Sequence, residues 1–346
     1  MDYKQKLKES MNIFNAPFEN YGPITQAIKN LEDVFFTITG LNPYSRSAEY
    51  DEPSYTQQGV AIAPSAAGMC IREFMRTWYF LKGMYLGIKR AAAAFPGERI
   101  HILYAGCGPF ATLFIPLTTC FSSREISFTL LDIHPQSIQS VKKLIDKLDI
   151  SDYVEDCRVT DVLRFNPPVN KMYHLAVTET MNQALRKEPQ VAITHHVSRF
   201  LFPFPQGIFI PQRVTVSAVV TDLDHEFPAL HTTYTRKNEQ DTCYKDRYRP
   251  HIDLGIIYEL IPGMEDYPTK TFQVPPLKNK NNTLALMTQI TVFDGVELTE
   301  GQCSLTLPYK YSFLHRLPPA DANRYVAYYE ISSLPGVRIK PLNIIP

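Results

Sequence analysis

Two glutamates nine residues apart, Glu179 and Glu188, bracket the stretch Thr180-Met181-Asn182-Gln183-Ala184-Leu185-Arg186-Lys187. Glu179 closes the apolar run Met172-Tyr173-His174-Leu175-Ala176-Val177-Thr178, which reads as a strand. In a parallel sheet the carboxyl ends of the strands line the ligand crevice, so Glu179 should face a bound molecule. A loop that returns Glu188 beside it would join two carboxylates, and such a pair grips a cation bidentately, a guanidinium best of all. A second reading leaves Glu188 as a solvated charge beside Pro189 at a helix start, where a carboxylate complements the helix dipole. The residue types and spacing leave both readings open.

Upstream lies a second chemical signal, Ala105-Gly106-Cys107-Gly108-Pro109-Phe110-Ala111, at the end of the apolar run Ile100-His101-Ile102-Leu103-Tyr104. Two glycines one residue apart let the backbone turn tightly and lie close to a ligand. Asp132, 26 residues after Gly106, ends the next apolar run, Ile126 to Asp132. That is the interval expected between a glycine turn and a carboxylate that holds a ribose diol, so the pattern points to an adenosine-containing cofactor. Pro109 sits inside the loop and removes a backbone N–H that a pyrophosphate at a helix N-terminus would use. S-adenosylmethionine carries no phosphate, and the loop favours it over a dinucleotide. Asp161, in Val159-Thr160-Asp161-Val162, falls where a third strand should end. There it either accepts from an adenine amino group or caps a turn. His134 is a weaker candidate for an adenine contact. His195-His196 have a convenient pKa for a general base but suit packing or surface better.

The elements that must position these groups read as three sections. Residues 1–98 form a helical segment, with apolar spacings of three and four over Pro23–Phe36 and Ala66–Arg90, separated by a polar loop over 42–58. Residues 99–205 alternate strands (100–105, 126–132, 156–162, 172–179) with helices, including 135–148 and a stretch over 111–120 that Pro116 would kink. Continuous apolar strands alternating with helices predict a parallel sheet in an α/β domain. Residues 206–346 lose the helical period and carry strand-like runs at 208–223, 284–293, 302–307 and 324–332, a mainly antiparallel, barrel-like β domain. Tyr50, Tyr55, Trp78 and Tyr79 would either cover the cofactor or pack the core, and aromatics at helical spacing normally face inward.

Composition narrows the classes. Thirty-five Lys+Arg balance 35 Asp+Glu, so there is no surplus of positive charge for a nucleic-acid partner. At 346 residues and 45% hydrophobic content a large core needs no metal or disulfide staple. The six cysteines are scattered without metal-like spacing, which predicts free thiols in a reducing compartment. The charged N-terminal stretch does not read as a secretory signal, and no apolar run is long enough to span a membrane. The expectation is a soluble cytoplasmic protein without membrane or nucleic-acid partners.

On these residues the middle section resembles the class I S-adenosylmethionine-dependent methyltransferases, and within them the protein arginine methyltransferases. Three stretches carry the likeness: Met69–Met84 with its Arg76-Thr77 pair, the nine-residue spacing of Glu179 and Glu188, and Phe204–Pro211 leading into the β domain. The resemblance implies a Rossmann-like sheet between an N-terminal helical segment and a C-terminal β domain. It implies that Arg76 pairs with the cofactor's carboxylate and that Ala105, Gly106 and Gly108 approach its methionine part. Asp132 would hold the ribose and Asp161 the adenine side. Glu179, at the cofactor's reactive end, and Glu188 would orient a substrate nitrogen. The implied activity is methyl transfer to a guanidino or amino nitrogen of an arginine-like acceptor, small molecule or peptide. A small-molecule O-, N- or C-methyltransferase and a non-catalytic cofactor-binding scaffold are the competing classes. A homodimer formed through an arm of the β domain, here 232–250, is also implied. The chain departs from the family pattern in three places. Its aromatic N-terminal motif is matched only by Tyr50 and Tyr55, its Thr-His-Trp loop only by the unlike Leu307–Ser312, and Pro109-Phe110 stand in the glycine loop.

Overall fold

In a computed structural model that describes residues 2–15, 21–41, 48–223, 252–264, 268–276 and 282–342, the chain begins with α1 (Tyr3–Met11), α2 (Tyr21–Thr39) and the short α3 (Ala48–Asp51). A small hairpin follows, β1 (Ser54–Thr56) and β2 (Gly59–Ala61), then α4 (Pro64–Met69) and the long α5 (Phe74–Ala94). The apolar spacing read from sequence becomes the buried face of α2, which places Ile24, Ala27, Ile28, Leu31 and Phe35 in the core. Trp78 of α5 is fully buried and stacks on Phe14, so it packs the core and covers nothing. The hairpin lies partly in the stretch read as loop, because three-residue strands are too short to show a two-residue period.

Five strands build the central sheet: β3 (Ile100–Ala105), β4 (Ile126–Asp132), β5 (Val154–Val159), β6 (Leu175–Thr178) and β7 (Ile208–Ile210). They are all parallel, in the order β5-β4-β3-β6-β7. Every residue of β4 and β6 is buried, as covering both faces of a parallel sheet requires. Helices α6 (Pro135–Leu148) and α7 (Gln190–Ser198) complete the α/β layer. The direction of winding reverses between β3 and β6, so the carboxyl ends of these two strands flank the switch point. Ile208–Ile210 pairs with β6, so the parallel sheet reaches into the section read as β domain.

One expectation is overturned here. Residues 111–120 form no α-helix; turns lead into a 3₁₀ helix at Ile115–Thr119. Pro109 and Pro116 each lack an N–H, Pro116 at the start of that 3₁₀ helix, and Ala111 takes a left-handed conformation (φ 41°). The glycine loop therefore does not run on into an α-helix.

The second half is antiparallel. Strands β8 (Arg213–Thr221), β9 (Ile252–Leu260), β10 (Lys270–Gln273), β11 (Thr283–Phe293), β12 (Val296–Leu298), β13 (Tyr309–Phe313), β14 (Arg324–Glu330) and β15 (Gly336–Pro341) form two sheets. One has the order β12-β11-β8-β9 with β13 also on β11, the other β10-β14-β15. The strand expected at 302–307 is a 3₁₀ turn at Ser304–Thr306, closed by hydrogen bonds between Cys303 and Thr306, and the strand starts after Pro308. Among the described residues no helix is long and apolar enough to cross a membrane. The 232–250 arm lies outside the described residues.

Helix α5 joins the two halves. A Cβ on its Gly83 would lie 2.4 Å from Val292 Cγ1 of β11. Alanine would gain about 1 kcal/mol of helix propensity at such a site. A contact that close to a stiff β-branched side chain outweighs the gain, since overpacking costs about 1–3 kcal/mol. Gly83→Ala is therefore expected to lower the urea midpoint; an unchanged or higher midpoint would show that the α5–β11 seam yields freely.

Candidate active site

A cleft of about 1130 Å³, including its open mouth, lies at the switch point. The glycine loop makes one wall. Gly106 has φ 75°, and any Cβ there would lie 2.4 Å from Thr180 Cγ2 in the loop after β6, so only glycine lets the two loops meet. The amides of Gly106 and Cys107 both donate to the Leu131 carbonyl, fastening the loop to β4.

Asp132, 6% exposed, is held by the same loop. Its Oδ2 accepts from the Gly108 amide at 2.8 Å and its Oδ1 from the His134 amide at 2.9 Å. Each oxygen keeps accepting capacity for a ligand hydroxyl. Asp161 also lines the cleft, and its Oδ1 accepts from the Leu163 amide at 3.0 Å, so it caps a turn and faces the cavity at once. His134 lines the same region, with Nδ1 3.4 Å from Asp132 Oδ1. Ala105 is fully buried in β3 and does not line the cleft.

Across the cleft stand Arg76 of α5, Glu179 and Glu188. Arg76 Nη2 donates to Glu179 Oε1 at 2.5 Å, and Nη1 donates to Glu73 Oε1 at 3.1 Å. Glu73 in turn accepts from the Ser304 amide (2.6 Å) and hydroxyl (2.8 Å), linking the arginine to the β domain. Glu188 is 7% exposed and faces the cleft, so it is not a solvated charge at a helix start. Burial pushes its carboxyl up to about 8 against the pull of Arg76, with Glu179 adding to the rise. Burial also raises Glu179, although Arg76 pulls the other way. Burial opposes the Arg76 charge, but Glu179 and the neighbouring groups more than offset it and hold the guanidinium firmly protonated.

The loop that returns Glu188 is held from several sides. Three of its non-glycine residues, Ala184, Leu185 and Lys187, have positive φ. The Ala184 amide donates to Thr288 Oγ1 of β11, the Lys187 amide to the Pro335 carbonyl, and Tyr329 of β14 donates its hydroxyl to the Leu185 carbonyl. From the other side, the Val60 amide of the hairpin donates to the Lys187 carbonyl. Within the loop's ends, the Gln190 amide binds both Thr178 and Thr180.

Other sequence candidates lie elsewhere. His196 Nε2 meets the Phe165 carbonyl at 2.7 Å and neither His195 nor His196 lines the cleft. Tyr55 is 80% exposed, and it is Thr56, Ala61 and Ile62 of the hairpin region that line the cavity. Phe110, by contrast, does line the cleft, packed against Phe35 and Phe36 of α2. From the Leu307–Ser312 stretch, Tyr309 lies under the Arg186 guanidinium of the glutamate loop, and Ser304 just before it holds Glu73. Glu73 and Ser304 carry no sequence signal, because a bond spanning 231 residues leaves no local pattern.

No protein-family model matches the chain, and no curated protein matches it significantly. Solved structures are similar to it in fold, two of them arginine methyltransferase structures. The Trypanosoma brucei PRMT1 enzyme-prozyme heterotetrameric complex with AdoHcy shares 12% identity, covering 78% of this chain and 95% of that one, with a TM-score of 0.45. Arabidopsis thaliana protein arginine methyltransferase 10, in an open conformation, shares 11% identity over 77% of this chain and 93% of that one, with a TM-score of 0.43.

Proposed function

We propose that the chain transfers a methyl group from S-adenosylmethionine to a guanidino or amino nitrogen of an arginine-like acceptor. The observation that carries this reading is the convergence of a half-buried Glu179 and a buried Glu188 with Arg76 in one cleft, opposite an Asp132 presented by the glycine loop. The donor set fits the cofactor: Asp132 would accept from the ribose diol, Asp161 from the adenine amino group, and Arg76 would meet the carboxylate. The chain after the glycine loop forms turns and a 3₁₀ helix, so the α-helix that usually seats a pyrophosphate does not follow it.

When bound, the cofactor supplies an already activated methyl group on a sulfonium. The chain's own residues must then hold and orient the acceptor. Glu179 and Glu188 would grip a guanidinium in two hydrogen bonds and favour the positive charge that develops on the nitrogen. Ile71, Phe80 and Leu113 in the lining keep water from the reacting nitrogen. A bound cation favours the ionised form of Glu188, whose carboxyl otherwise holds its proton to about pH 8. That places Glu188 to accept the proton the nitrogen sheds.

Calorimetry tests the cofactor. S-adenosylmethionine is expected to bind and NAD not to compete, while Asp132→Ala should weaken binding by about 10–100-fold, the worth of hydrogen bonds to a charged group. Preference for NAD, or an Asp132→Ala variant that binds as the wild type does, would end this reading. A methyl-transfer assay with free arginine and an arginine-containing peptide tests the acceptor.

A further inference from the structure

The pair of glutamates is useful only if both carboxylates reach one cation, and eight residues of loop, three of them at positive φ, separate them. Left-handed non-glycine residues cost about 1–3 kcal/mol each, so this loop does not hold its shape unaided. Its middle is pinned from outside by Thr288, Tyr329, Pro335 and Val60. Its two ends are joined by one side chain. Gln190, 0% exposed, lies two residues after Glu188 as the first residue of α7. Its Oε1 accepts from the Thr180 amide (2.9 Å) and hydroxyl (3.2 Å), and its Nε2 donates to the Thr178 carbonyl (3.3 Å) and Thr194 Oγ1 (3.4 Å). All four hydrogen-bonding positions of the amide are used. Thr178 and Thr180 are the residues on either side of Glu179.

We infer that Gln190 is a positioning residue that fixes the backbone of Glu179 relative to Glu188, so that the two carboxylates converge on one guanidinium. This rests on the function proposed above and adds to it a residue that does not itself line the cleft. Because Gln190 acts through the Thr178 and Thr180 backbone, its loss falls mainly on the acceptor side, while Asp132 keeps the Gly108 and His134 amides that hold it.

The experiment is calorimetry on the full chain, with S-adenosylhomocysteine first and then free arginine added to the saturated protein. Gln190→Met keeps the volume and removes every hydrogen bond. It is expected to weaken arginine by about tenfold or more, while S-adenosylhomocysteine stays within about twofold, since a buried backbone donor and acceptor lose their partners. Gln190→Glu separates positioning from packing. A protonated carboxylic acid both donates and accepts, as the amide does, whereas the ionised form cannot donate to the Thr178 carbonyl. Its arginine affinity relative to wild type at the same pH is expected to stay near one at about pH 6 and to fall toward that of Gln190→Met at about pH 9, as the buried acid ionises. If Gln190→Met does not fold, that pH series decides alone, and a flat ratio overturns the inference. Unchanged arginine binding in Gln190→Met overturns it too, leaving the proposed function standing. A wild-type protein that binds S-adenosylhomocysteine but neither free arginine nor an arginine-containing peptide overturns the acceptor reading and the Gln190 role together.

Discussion

Glu188→Gln is expected to stabilise the protein at pH 8 and to disable it. The folded chain keeps a proton on Glu188 up to about pH 8, whereas an unfolded glutamate releases it near 4.5. Between those values the native state binds more protons than the unfolded state, so stability falls as pH rises through that window. Glutamine cannot ionise and removes this contribution. In the cofactor-free protein the wild-type Tm should therefore drop from about pH 5 to about pH 8, and the variant's should drop less. Glu179, raised in the same direction, leaves a residual slope. At pH 8 the gain should be on the order of a few kcal/mol, because each pKa unit is worth about 1.4 kcal/mol. Turnover should fall by about 10²–10³, the usual loss when one group that stabilises developing charge is removed. Parallel pH–Tm curves for the two proteins, or an active variant, would sink the assignment. A residue that lowers stability where it is ionised and is needed for turnover is the trade expected of a functional site.

How much of this site was readable depends on the range of the interaction that makes it. Strands β3 and β4 and their terminal residues were legible because strands covered on both faces must be continuous apolar runs, which end where the backbone meets the crevice. The 26-residue interval to Asp132 and the nine-residue interval between the glutamates are local and survive in sequence. Whether Glu188 entered the cleft was not local. It depends on a loop braced by Thr288, Tyr329 and Pro335, all about a hundred residues or more away. The same holds for Arg76, assigned only by resemblance, whose resting partners Glu73 and Glu179 are revealed by the packing of α5 against the end of β6. The missing helix after the glycine loop was half visible. Pro116 argued against it and the apolar run Ala111–Cys120 for it; the proline prevailed because it deletes an N–H that the interior of such a helix would need.

Arg76→Met is the sharpest contrast to Glu188→Gln, because it removes the cation and leaves the carboxylates. The guanidinium is buried and lies between Glu73 and Glu179, and the proposed cofactor carboxylate must bind that same group. Losing a charge-assisted, forked contact should weaken S-adenosylhomocysteine by about 100-fold, roughly the upper end for hydrogen bonds to a charged group. Stability should fall as well, by about 3–5 kcal/mol where the carboxylates are forced to ionise, the usual result of stranding one partner of a buried pair. The pH dependence identifies the cause. Arg76 is what pulls the Glu179 and Glu188 carboxyls down, so without it both hold their protons to higher pH. Toward pH 5 the folded variant holds these protons more readily and the loss should be small; toward pH 8 the unfolded chain ionises freely while ionisation costs the folded one more, and the loss should grow. Urea unfolding at those two pH values reads the difference. An equal loss at both would mean that Arg76 supports the fold through packing of its stem, and unaltered S-adenosylhomocysteine affinity would detach it from the cofactor altogether.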